Sequence, residues 1–260
     1  MIYYTRVFLL SAKVQLLEVT ASLFMLFNAL LQPFFIAITA IYMLRNQPGF
    51  EPVYVVVGAG LSGLFAVTLF TGSNAASRER YQGNLELLEA SPAPMMVIMG
   101  GKMAANMVFA LTSMVVTYVV GAGLFQYAIT PDQPISFAVS MLMTLFSLWA
   151  MGMVFVPLSI LWPPVEQFLG GLEYPVFILC GFLFPVALLP GWFLPFSYAL
   201  PPYWAARALQ GSSLGTLQFG DIVLTWLILL VTSGVFLVMA AILFRIFLRL
   251  ARRKGTLGFA

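Results

Sequence analysis

The sequence predicts an all-α integral membrane protein with six transmembrane helices, and three observations carry that expectation. Charged residues make up 8% of the chain, against roughly 25% in an ordinary soluble domain. That leaves too few charges to cover a water-facing surface, so lipid is the solvent for most of the protein. Hydrophobic residues, 62% of the total, gather into six charge-free runs of the length that a spanning helix needs, about 20 residues. The basic residues, finally, fall ten on one side and two on the other when the six runs are threaded across a membrane, the asymmetry of a chain that crosses repeatedly.

The first element, residues 1–18, is expected to be an amphipathic helix lying at the cytoplasmic interface. Val7, Leu10, Val14 and Leu17 recur at helical spacing, with Arg6, Lys13 and Gln15 off that stripe. The spans follow at about 19–44, 53–76, 103–130, 137–162, 172–189 and 222–246. Charge-free runs mark them because a charge at the centre of a spanning helix costs about 2.5–3.5 kcal/mol on insertion scales. An even number of crossings puts both termini on one side. With the termini cytoplasmic, the inner segments hold Arg6, Lys13, Arg78, Arg80, Lys102, Arg245, Arg249, Arg252, Arg253 and Lys254, and the outer ones hold only Arg45 and Arg207. That asymmetry fits the positive-inside rule.

Inside the second span, Gly58-Ala-Gly60-Leu-Ser-Gly63 spells G-x-G-x-x-G. A dinucleotide-binding turn needs a following amphipathic helix and a second strand ending in an acid, and neither is present. Gly58/Ser62 and Ala59/Gly63 instead have the small-xxx-small spacing that lets membrane helices approach closely. No phosphate-binding loop is visible either. Gly100-Gly101-Lys102-Met103 lacks the hydroxyl and the first glycine that such a loop uses. The chain has no histidine, so the commonest general base and metal ligand is missing. Its single cysteine, Cys180, rules out an intramolecular disulfide. No catalytic, cofactor-binding or metal-binding residues are assigned, and a net charge of +3 gives no reason to expect nucleic acid.

Between the fifth and sixth spans, residues 190–220 are too proline-rich for one helix and too aromatic for a free loop. Short broken helices dipping into the outer leaflet are expected there, forming a lid from Pro190, Trp192, Pro201, Pro202, Tyr203 and Trp204. Glu173, an acid at the mouth of the fifth span, is a candidate gate there.

More than a quarter of the chain's charges lie in the cytoplasmic segment 77–102, which holds Arg78, Glu79, Arg80, Glu86, Glu89 and Lys102 of its 12 basic and 9 acidic residues. Gly83 is expected to end one turn. Asn84 is expected to cap a helix of about two turns through Leu85, Glu86, Leu87 and Leu88, which Ser91-Pro92 stops. So short a helix does not persist alone in water. The residues leave two readings open, a helix docked in a partner's groove or a solvated loop.

"SRERYQGNLELLEASP" (Ser77–Pro92) with "GGK" (Gly100–Lys102), and "GFLFPVALLPGWFLPFSYALPPYWAARALQG" (Gly181–Gly211), resemble the permease subunits of ABC-2 type transporters. The likeness is strongest to the group with daunorubicin-resistance and nodulation-factor exporters. That family shows an E/R-rich turn, G-T-L-E, S-P and a G-K opening the next span, then G-x-x-F-P and L-P late in the chain. Asn84 stands where threonine is usual, and Arg207 precedes Ala208-Leu209 where the family's basic residue follows such a pair. The resemblance implies that Arg78, Glu79, Arg80, Gly83, Asn84, Leu85, Glu86, Leu87, Leu88, Ser91 and Pro92 contact a separate ATP-binding-cassette ATPase subunit, present in two copies. It implies a second permease chain, identical or homologous, alongside membrane lipid. ATP and Mg belong to the partner, and this chain carries no cofactor. The expected place is the plasma (inner) membrane of a prokaryote. The expected role is export of an amphiphilic or apolar cargo: a drug, a lipid or a lipid-linked glycan. The alternative is an ion-coupled secondary transporter, which calls for a mid-span acid and an internal repeat that the sequence does not display.

Overall fold

The structure, a computed structural model, describes residues 2–46, 51–84, 91–126, 130–162 and 165–254. Among these there are helices and no strand, which is the arrangement open to an apolar chain whose backbone groups find no water in a bilayer. In chain order the helices are α1 (Ile2–Ala21), α2 (Leu23–Leu44), α3 (Pro52–Tyr81), α4 (Met95–Val119), α5 (Pro134–Leu161), α6 (Val165–Leu179), α7 (Leu194–Ala199), α8 (Pro201–Ser213) and α9 (Phe219–Lys254). A π-helical turn, Val120–Leu124, extends α4, and two 3₁₀ turns, Val186–Leu188 and Gly191–Phe193, precede α7.

Among the described residues, four stretches are long and apolar enough to cross a membrane: Pro52–Thr71, Met95–Gly123, Pro134–Leu161 and Phe219–Leu250. Leu30–Leu44 of α2 is a shorter apolar stretch. α6 has 15 residues, about 22 Å at 1.5 Å per residue, which is less than a hydrocarbon core of about 30 Å.

Several expected boundaries shift, each for a physical reason. The run 19–44 is not one helix, because Ser22 is extended (φ −90°, ψ 105°) and separates α1 from α2. α3 continues past residue 76 to Tyr81, and α4 begins at Met95, ahead of residue 103. Charge does not stop these two helices because Glu79 and Lys102 pair across them. The expected span 172–189 stops at Leu179. There Gly181, at φ +68°, takes the left-handed conformation that ends a helix, and the Gly181 and Phe182 amides donate to the Ile178 and Phe177 carbonyls. α9 in turn runs beyond 246 to Lys254.

α3 is the hub. Its apolar stretch is the most buried of the four, and it lies against α2, α4, α5, α6 and α8. The neighbours run in consistent directions. Gly63 of α3 faces Ser113 of α4, Thr68 reaches Met107 and Glu79 pairs with Lys102, so α3 and α4 are antiparallel. Phe65 meets Phe177 edge-on at 6.0 Å between centroids, while Tyr54 donates to the Gly181 carbonyl at 2.9 Å, so α6 also opposes α3. The Asp132 and Gln133 amides donate to the Ser213 and Ser212 carbonyls, which joins the start of α5 to the end of α8. The bundle therefore has two ends. One gathers α1, the end of α3 and the start of α4. The other gathers the start of α3, the end of α6, α7 and α8. Arg78 and Lys102 belong to the first, the basic end, and Tyr198, Tyr203, Trp204 and Arg207 to the second, the aromatic end.

Lipid tails are as apolar as leucine, so helices hold together in a membrane by close contact and hydrogen bonds. The small residues of α3 supply the first. Ala59 is fully buried beside Ala37 and Val120, and Gly58 lies directly against the Phe182 carbonyl. The second is supplied by Ser113 Oγ donating to the Gly60 carbonyl at 3.0 Å, by Trp149 Nε1 to the Gly100 carbonyl at 2.9 Å and by Trp226 Nε1 to Ser140 Oγ at 2.9 Å.

α1 departs from a simple two-faced helix. It lies along α4 through Phe8 beside Gly100 and Gly101, the buried Val19, and Gln15 Nε2 donating to Asn106 Oδ1 at 3.2 Å. Leu10, Val14 and Leu17, the expected apolar stripe, point away from the bundle and are exposed, as are Leu9 and Leu16. One side of α1 is committed to protein, so its apolar residues spread over more than one face.

Candidate coupling site and lid

The expected partner-binding segment begins on α3 itself. Arg78 is exposed near the last turn and Glu79 is buried. The helix then ends on a glycine cap: Gly83 has φ +68°, its amide donates to the Arg80 carbonyl, and the Asn84 amide reaches the Glu79 carbonyl. These are the paired bonds of a Schellman motif, which a glycine at that position accommodates without strain. Asn84 Nδ2 donates back to Gln82 Oε1 at 3.0 Å. The helix expected over Leu85, Glu86, Leu87 and Leu88 lies outside the described residues. On its far side the Ala93 amide donates to Ser91 Oγ at 3.3 Å, Pro92 is exposed, and α4 starts at Met95.

Glu79 and Lys102 form a salt bridge under this connection, with side chains 10% and 8% exposed. Those values place the pair inside the protein, where each charge needs the other. Glu79 thus faces inward while Arg78 faces out, two neighbours of the same expected contact set serving different surfaces. The sequence held a signal for the pair. Lys102 stands alone at the start of an apolar helix and requires a partner, and Glu79 is an acid across the same hairpin.

Glu173 is buried at 3% exposure on α6, and Gln32 Nε2 of α2 donates to its Oε1. Phe177 meets Phe65 and Gly170 lies beside Phe70, so Glu173 is level with α3 between those two phenylalanines, toward the basic end. Gln32 is a partner that sequence reasoning missed, because nothing in the spacing of α2 and α6 announces their contact.

At the aromatic end the lid residues divide into two groups. Pro201 and Pro202 open α8 and are buried, where proline's missing amide hydrogen costs no helix bond. Tyr203 and Trp204 join Tyr198 of α7 in a ring cluster with centroids 5.0–5.9 Å apart, and Trp204 Nε1 donates to the Tyr198 carbonyl at 2.9 Å. Trp192 stands apart from that cluster, exposed and stacked on Phe193 at 3.7 Å, beside the exposed Pro190. Within residues 190–220 the chain forms the 3₁₀ turn Gly191–Phe193, the short helices α7 and α8 and the start of α9.

Residues 6–214 match the family model for the ABC-2 type transporter. No curated protein matches the chain.

Proposed function

The chain belongs to the ABC-2 type transporter family, and from that premise we propose that it is the transmembrane half of an exporter driven by a separate ATP-binding-cassette ATPase. The family match covers α1 to α8 and makes the chain a membrane permease rather than a catalytic domain. The observation that best supports the finer reading is the α3–α4 connection. It carries the acids Glu86 and Glu89, is flanked by a glycine cap on one side and Ser91-Pro92 on the other, and rises from two helices locked by a buried ion pair. A segment anchored in that way transmits a push from a partner to the hub helix α3.

In this reading the basic end faces the cytoplasm, both termini with it, in a prokaryotic plasma membrane. α2, and α6 together with the turns that follow it, complete six crossings. Two permease chains, identical or homologous, flank the route, and two ATPase subunits bind beneath them. Closure of the ATPases drives the segment around Glu86 and Leu88 and carries the cargo outward. The cargo is amphiphilic or apolar (a drug, a lipid or a lipid-linked glycan, as in the daunorubicin and nodulation-factor group). Glu173 borders its entrance, and α7 and α8 form the outer lid.

The expected result is that Glu86→Ala and Leu88→Asp each lower export and cargo-stimulated ATP hydrolysis by the assembled complex while membrane insertion stays normal. Vesicle export assays paired with phosphate release measure both. Normal coupling in both variants would count against the docking role. The alternative, an ion-coupled transporter, draws its support from the buried Glu173, since acids inside spans often mark ion paths. Vesicle uptake driven by a proton gradient without ATP would favour it.

A further inference from the structure

A cavity of about 270 Å³ opens at the aromatic end, between the start of α3, the turn after α6 and the outer face of α8. Its polar wall is made by Tyr54, Tyr203, Arg207 and Gln210, with Gly181 beneath. Two carbonyls at its floor are already engaged. The Gly181 carbonyl receives Tyr54 Oη at 2.9 Å and Gln210 Nε2 at 3.2 Å, and the Phe182 carbonyl receives Gln210 Nε2 at 3.0 Å. Gln210 is itself buried at 8% exposure, so the wall is fixed by its own hydrogen bonds.

What the wall has left to offer is positive charge. Arg207 is exposed at the rim, its guanidinium 5.8 Å from the centre of the Trp204 ring, and it lines the cavity together with Tyr203. No carboxylate pairs with Arg207 among the described residues. Asp132, against Gly215 on the adjoining turn, is not part of the lining. A planar guanidinium held by an aromatic face is suited to recognising phosphate with two parallel bonds. The volume lies below the roughly 300–1,000 Å³ of pockets that enclose whole drug-sized ligands, so it suits a head rather than an entire amphiphile. Exposed Trp192 and Leu188 stand on the adjacent 3₁₀ turns, where an acyl chain attached to such a head finds an apolar surface.

We propose that this cavity binds a phosphate-bearing anionic group through Arg207 and the Tyr203 hydroxyl, with the Tyr54–Gln210–Gly181 network as its rigid wall. The phosphate belongs to a lipid headgroup or to a free anion; both present the same oxygens. The site is independent of the transport cycle, since it requires only equilibrium binding to the full chain.

The test uses the full chain in nanodiscs of a zwitterionic lipid, titrated in one arm with phosphatidylglycerol and in the other with inorganic phosphate. Native mass spectrometry and tryptophan fluorescence read the binding. Arg207→Gln is compared with Arg45→Gln, which removes the other cation of that end, held over Tyr42 at 4.7 Å. Arg207→Gln is expected to weaken binding roughly tenfold or more, the loss of one charge-assisted bidentate contact, while Arg45→Gln binds as the unaltered chain does. Dependence on Arg207 in the lipid arm identifies a headgroup site, and dependence in the phosphate arm alone identifies a free-anion site; either supports the proposal. Equal losses in both variants, or no loss with Arg207→Gln in either arm, would overturn it.

Discussion

Replacing Lys102 with methionine is expected to destabilise the basic end by about 3–5 kcal/mol, the usual cost of leaving one member of a buried ion pair uncompensated. The side chains of Lys102 and Glu79 are 8% and 10% exposed, so water cannot take over the lost interaction. Removing both charges has a different consequence. Buried ion pairs replaced by apolar groups of similar volume are often neutral or better, so Lys102→Met with Glu79→Leu is expected to recover most of the stability lost by Lys102→Met alone. Thermal inactivation of the purified chain, compared at one heating rate because membrane proteins commonly unfold irreversibly, measures all three forms. A single variant as stable as the parent would mean that the two charges are not joined inside the protein.

The second large effect is expected at Gly58. A Cβ there falls far inside van der Waals contact distance of the Phe182 carbonyl oxygen, and that obstacle is backbone rather than a flexible side chain. The same short segment after α6 receives hydrogen bonds from Tyr54 and Gln210, so moving it away breaks a network as well as a contact. Gly58→Val is therefore expected to exceed the about 1–3 kcal/mol of ordinary overpacking and to abolish a monodisperse folded product. Gly234→Ala on α9 makes the contrast. Beyond the adjoining backbone of its own helix and its two chain neighbours, no described atom lies within 4 Å of a Cβ at that position, and alanine is the better helix former by about 1 kcal/mol, so the variant is expected to be neutral or slightly more stable. Size-exclusion profiles of fluorescent fusions distinguish the two. Equal behaviour of both variants would contradict the close approach of α3 to the turn after α6.

These two sites mark how much of the architecture is legible in the sequence. Gly58, Ser62, Ala59 and Gly63 announce a contact face by spacing alone, and the four-fold run of prolines from Pro190 to Pro202 announces broken helices. Gly83 announces its own helix end. Charge-free runs locate apolar stretches, but they say little about where a helix stops. The run from Tyr174 to Ala206 contains the end of α6, two 3₁₀ turns, α7 and part of α8, because turns inside an apolar region need no charge. The opposite error arises at Glu79 and Lys102, where charges that pair privately remain within helices. Ser22 interrupts an apolar run with nothing beside it to signal a break, and its side chain makes no capping bond. For the candidate site, the order of charged residues along the chain picks out the segment but not its facing. Only the folded arrangement separates inward Glu79 from outward Arg78, or brings Gln32 to Glu173.

The central claim is that an ATPase subunit grips the connection between α3 and α4. Photocrosslinking from residue 86 in native membranes, with the captured partner identified by mass, tests it most directly. The buried Cys180, replaced by alanine, leaves a chain on which a single cysteine at position 86 also reports the side of the membrane it faces. The account predicts a crosslink to an ATP-binding-cassette ATPase, and labelling at position 86 only when reagent reaches the cytoplasmic side. Labelling from the outside of intact cells, or crosslinks to lipid alone in an assembled and active complex, would contradict it.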